Sequence, residues 1–136
     1  MRACSATVLL VVAAAVFGAA GTAIAQVQEI SMKSGERVEL GPVYWIRTSD
    51  CRSLLKSILG VDLLEGPPGV TLAIRQQEVI PRQDACRSTT VPGGVVLATV
   101  GEVPTKTSGT LKYRVRYDTV EGENQSNHTR QLNLYP

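Results

Sequence analysis

From Leu111 to Thr119 the chain alternates without a break, with Leu111, Tyr113, Val115 and Tyr117 on one side and Lys112, Arg114, Arg116 and Asp118 on the other. A helix would repeat its faces every ~3.6 residues, so a period of two points instead to a half-buried antiparallel strand. Val70, Leu72 and Ile74 alternate with Thr71, Ala73 and Arg75 in the same way. Val95 to Val100 is a shorter, almost continuously apolar run behind the turn signal Pro92-Gly93-Gly94. In the last strand Leu132 and Leu134 are expected inward, with Gln131, Asn133 and Tyr135 on the opposite face. Ahead of Cys51, residues 27–32, 37–40 and 43–48 read as three short strands broken at Gly35 and Gly41-Pro42.

One segment carries a helical spacing. Cys51, Leu54, Leu55, Ile58 and Leu59 recur at i, i+3, i+4, i+7 and i+8, with Ser49 or Asp50 placed to cap the start and Gly60 the end. A helix of about ten residues is marginal alone, so its Leu/Ile face must dock on the sheets. Gly66-Pro67-Pro68-Gly69 then makes a stiff turn before the next strand.

Residues 1–25 read as a secretory leader, with Arg2 as the positive start and Val8 to Ala20 as the apolar stretch. Ala23-Ile24-Ala25 fits the small-x-small cleavage pattern and predicts a mature start at Gln26. A spanning anchor needs about 20 apolar residues, and Gly18, Gly21 and Thr22 interrupt this stretch. Stable membrane insertion after cleavage is therefore not expected. The domain plan is a leader, 1–25, and one domain, 26–136, in a periplasmic or secreted protein. Cys4 leaves with the leader, so Cys51 and Cys86 remain as an even pair. In an oxidising compartment the simplest outcome is one disulfide, stabilising by roughly 3–4 kcal/mol on the chain-entropy argument.

Seven or so short strands separated by Gly, Pro and Asn turns suggest an all-β, antiparallel two-sheet sandwich with one short helix after the first strands. Gly109 to Thr119, followed by Gly122 and a final strand to Pro136, resembles the last hairpin of immunoglobulin-like domains. The mature chain is likewise similar to small secreted immunoglobulin-like proteins of Gram-negative bacteria. Antibody-type domains place a tryptophan between two cysteines on opposite sheets, whereas Trp45 here precedes Cys51. The disulfide is thus expected to tie a loop or the short helix to a strand. A fold does not carry a function with it.

Cys-Arg-Ser occurs twice, at 51–53 and 86–88. A bond between the cysteines would bring Arg52 and Arg87 together, with Arg47 and Arg82 one strand-length away, as a candidate anion-binding patch. Asp50 and Asp84 stand ready to neutralise it locally. Trp45 is expected in the core, or else as an exposed aromatic platform. Tyr113 and Tyr117 are candidates for a hydroxyl-to-backbone corner. Lys112, Arg114 and Arg116 read as a solvated basic stripe or a docking face, and His128 as a surface histidine in a polar loop.

A net charge of +2 and six aromatic residues argue against nucleic-acid binding. Two cysteines and one histidine supply too few soft ligands for zinc, and no cofactor or metal is expected. No nucleophile elbow, zinc-protease helix, phosphate loop or dinucleotide fingerprint occurs. The expectation is a non-catalytic exported binding or interaction module of the cell envelope. Its partner is an envelope protein added to a sheet edge, or an anionic envelope ligand held by the arginine patch. The remaining alternative is a hydrolase inhibitor presenting the Gly66–Gly69 loop.

Overall fold

The alternating segments become strands in two facing sheets. The structure, a computed structural model, describes residues 27–136, and the leader expected at 1–25 lies outside them. The chain runs β1 (Glu29–Lys33), β2 (Arg37–Val43), β3 (Ile46–Arg47), β4 (Arg52–Ser53), β5 (Leu55–Glu65), β6 (Val70–Val79), β7 (Val91–Val100), β8 (Thr107–Thr119) and β9 (Gly122–Tyr135). One sheet has the order β1-β9-β8-β5, the other β2-β7-β6, and β3-β4 form a small ribbon of their own. Pairing is antiparallel throughout except where β1 lies parallel to β9. Among the described residues no helix is long and apolar enough to cross a membrane.

Both sheets feed one core. Leu111, Tyr113, Val115 and Tyr117 of β8 are at most 1% exposed, and Leu132 and Leu134 of β9 lie beside them. Val96, Ala98 and Val100 of β7 and Leu40 and Val43 of β2 meet them from the other sheet. The expected inward faces of β8 and the end of β9 are therefore the buried ones. Trp45 packs partly buried against this core, its ring centroid 5.4 Å from that of Tyr117.

Three expectations are corrected. The segment from Cys51 to Gly60 is not a helix: most of it is β5, and the only helical element among the described residues is the 3-10 turn Asp84–Cys86. Three register shifts against β8, at Leu55/Ser57, Ile58/Gly60 and Leu63/Glu65, each insert an extra residue. Two of these fall so that Leu55, Ile58 and Val61 all reach the core at a spacing of three, which imitates a helical stripe. Leu59, part of the supposed helical face, is 43% exposed.

The break expected at Gly41-Pro42 is a bulge inside a continuous β2, with Gly41 at φ +126 where side chains are disfavoured. Pro92-Gly93-Gly94 is not a turn but the start of β7, paired with Glu78, Gln77 and Gln76 of β6. Gly93 is required there because a Cβ would run into the Val43 carbonyl and come within 2.8 Å of Val79. Pro92 lies beyond the last β2–β7 pair, Val43↔Gly94, and among the described residues no strand pairs with β7 there on that side, so a missing N–H is tolerated.

Candidate functional site

The expected disulfide is present. Cys51 and Cys86 are bonded, their Cα atoms 5.5 Å apart, joining the turn between β3 and β4 to the 3-10 turn before β7. Tyr44 fixes the approach to that turn: its hydroxyl donates to Gln83 Oε1 at 2.7 Å and accepts the Arg82 backbone N–H at 2.9 Å. Cys51 holds φ +60, a left-handed conformation kept by the short β3–β4 ribbon and the bond to Cys86.

Around this bond the four expected arginines divide. Arg47 forms a two-pronged contact with Asp50 at 3.0 and 2.9 Å, and Arg87 pairs with Asp84 at 3.0 Å. Hydrogen bonds from the Arg47 side chain, and then from the Arg52 backbone N–H, hold the Asp50 carboxyl below its ordinary value. Arg47 and Arg52 stand opposite each other in the β3–β4 ladder, so Asp50 screens what would otherwise be facing like charges. Among the described residues neither Arg52 nor Arg82 has a carboxylate within ion-pair distance. The Arg82 guanidinium lies over Gly41, where a Cβ would sit 3.2 Å from Nη2.

A second cluster lies on the inward face of β9. Register with β8 sets Asn124 opposite Tyr117, Ser126 opposite Val115, His128 opposite Tyr113 and Arg130 opposite Leu111. Opposed residues share a face, so this polar row points the same way as the buried row of β8. His128 is therefore not a surface-loop residue. It is half-buried, stacked on Tyr113 with ring centroids 5.0 Å apart, and bonded through Nε2 to Ser126 Oγ at 2.8 Å. Ser126 Oγ also meets the Tyr117 hydroxyl at 2.7 Å, so Tyr117 finds a side-chain partner and not the expected backbone corner. Burial, reinforced by the Arg130 charge, lowers the His128 pKa from its ordinary value.

Arg130 completes the row. Its Nη1 donates to the Thr129 carbonyl at 2.9 Å and its Nη2 reaches the Leu40 carbonyl of β2 at 3.4 Å. Nε is the one buried side-chain polar atom among the described residues without a partner. Sequence reasoning missed this residue, although the parity of Leu132 and Leu134, extended backwards, passes through Arg130 and His128.

The basic stripe on the outer face of β8 is largely matched by β5. Arg114 and Arg116 both reach Asp62, at 3.1 and 2.9 Å, and Lys112 lies 3.5 Å from Glu65. Hydrogen bonding from Arg114, and then from Arg116, pulls the Asp62 carboxyl below its ordinary value. Pro67 is buried and packs under Gly109, so the Gly66–Gly69 turn is tied down at that residue. Among the described residues no group of three or more His, Cys, Asp or Glu is arranged to hold a metal ion.

Backbone edges complete the inventory. Gln131 N–H bonds to the Gln28 carbonyl, and β1 accompanies β9 over Gln131–Tyr135. Among the described residues no strand accompanies β9 on that side from Gly122 to Arg130. Because alternate residues point their backbone groups to alternate sides, Glu123, Gln125, Asn127 and Thr129 present N–H and C=O to this open edge, as Gln131 does to β1. Compared with known proteins, the chain matches no family profile, no curated protein and no solved structure.

Proposed function

We propose that the chain is an exported, non-catalytic, immunoglobulin-like module that binds an extended segment of an envelope protein along the open edge of β9. The facing sheets β1-β9-β8-β5 and β2-β7-β6, with the last hairpin at the centre of the larger one, support the immunoglobulin-like reading. The disulfide supports export, since such bonds persist mainly outside the reducing cytosol.

The nine-residue edge from Gly122 to Arg130 carries the proposal. Exposed edges invite another strand unless they are blunted. β5 is blunted by three register shifts, and β2 by a bulge and Pro42. β6 is approached by β5 of the other sheet. The β9 edge keeps an unbroken register with β8 and already accepts β1 at its far end. A visiting strand would continue in line with β1, parallel to β9, and gain affinity from main-chain hydrogen bonds. Asn124, Ser126 and His128 on one face and Gln125, Asn127 and Thr129 on the other favour a polar segment.

A non-catalytic reading is supported by the Ser126–His128 contact itself. Its spacing suits a nucleophile and its base, but among the described residues no carboxylate orients the imidazole, and Ser126 is also bonded to Tyr117. The arginine-patch alternative is weakened because Asp50 and Asp84 occupy Arg47 and Arg87.

Asn127→Pro removes an edge-facing N–H while sparing the ladder to β8. Capture of a defined protein from envelope extract is expected with wild type and Asn127→Ala and lost with Asn127→Pro, with circular dichroism unchanged. An identical captured protein in all three would overturn the edge proposal.

A further inference from the structure

We propose that Arg82 and Arg130 together form a binding site for a small oxyanion, a phosphate or carboxylate group, at the Leu40–Gly41 bulge of β2. The two guanidinium groups arrive from different parts of the chain at the same peptide unit. Arg130 reaches the Leu40 carbonyl from β9, and Arg82 covers Gly41 from the segment that Tyr44 anchors. Glycine at position 41 leaves the room that Arg82 occupies.

Charge makes this convergence informative. Two like charges brought near each other at the mouth of a core repel, and Arg130, with its Nε buried, also loses hydration. Five arginines in the described residues are answered by carboxylates, Arg47 by Asp50, Arg75 by Glu39, Arg87 by Asp84, and Arg114 and Arg116 by Asp62, while Arg37 and Arg52 stand exposed without one. Arg82 and Arg130 have no such answer there, and Arg130 keeps a buried Nε without a partner while its other nitrogens settle for carbonyl oxygens. Tyr113 stacks on His128, and the charges of Arg130 and Arg82 offset part of the rise that burial gives its hydroxyl pKa. Two guanidinium forks are the equipment for a phosphate or carboxylate. Arg82 is exposed, which gives the anion a way in.

This site uses the Arg130 side chain and none of the edge-facing backbone groups of Glu123, Gln125, Asn127 and Thr129, so either proposal can fail without the other. Inorganic phosphate and acetate are titrated separately into the purified protein, reading the ring signals of His128, the only histidine and a neighbour of Arg130. Saturable shifts are expected with at least one probe, weakening as sodium chloride is raised. The better-bound probe then distinguishes tetrahedral from planar anions. Arg130→Gln and Arg82→Gln are each expected to weaken that binding by about tenfold or more, since a charge-assisted hydrogen bond is lost. Arg52→Gln should leave it unchanged. Arg82 is exposed, so its variant keeps the test valid if Arg130→Gln fails to fold. No saturable shift with either probe, or equal affinity in wild type and Arg82→Gln, overturns the proposal.

Discussion

His128 illustrates how one side chain's role is set by its parity in a strand. Residues 123–129 are polar and resemble a loop, yet they continue β9, and every second one faces the core side of the sheet. The consequence for pH follows from burial and the neighbouring Arg130, which lower the imidazole pKa in the folded protein below 6.5. Between the folded and unfolded values the unfolded chain binds more protons, so stability falls as pH drops through about 6.5 and levels off below the folded value. Thermal unfolding between pH 7.5 and pH 5 is expected to show this loss in wild type and to lack it in His128→Gln. An equal loss in both would assign the effect elsewhere. The carboxylates Asp50 and Asp62, lowered by their arginines, lose their contribution only in a more acid window below 3.8. Arg130 was equally legible from parity, but its approach to Leu40, 90 positions away, was not.

Strands and turns show where local pattern misleads. A bulge adds one residue to a strand, so Leu55, Ile58 and Val61 sit three apart and mimic a helix while serving one strand face. The competition is settled by pairing: β5 gains a ladder with β8, whereas an isolated helix of about ten residues is marginal. Pro92-Gly93-Gly94 misleads in the opposite sense, because glycine serves close approach of strands as well as turns. Gly93→Ala must displace the Val43 backbone, and a destabilisation of about 1–3 kcal/mol or more is expected from urea unfolding. A stability equal to wild type would remove the close-approach explanation. Gly122, at φ +107 after the two-residue β8–β9 connection, is by contrast a glycine used for its turn.

At the scale of the whole molecule, one covalent link, the core between the sheets and a smaller cluster of Val79, Val91, Val95 and Leu97 under Tyr44 and Ile46 hold the nine described strands together. The Cys51–Cys86 bond spans 35 positions and pins the β3–β4 ribbon to the loop before β7. Replacing both cysteines by serine is expected to lower stability by about 2–4 kcal/mol, read from denaturant midpoints. A midpoint unchanged from wild type would mean that the link does not constrain the unfolded chain. Strand character outside β5 and the first half of β9, the inward faces of β8 and the end of β9, and the pairing of two cysteines could all be determined from the amino-acid sequence. Each rests on neighbours a few residues apart or on a count of thiols. Tertiary structure alone decided that β1 stops short of the first half of β9, that β5 is bulged, and that Arg82 and Arg130 both come to the Leu40–Gly41 bulge. The reason is physical: an open edge and a converging pair of charges depend on which distant segments pack together, and no local periodicity encodes that choice.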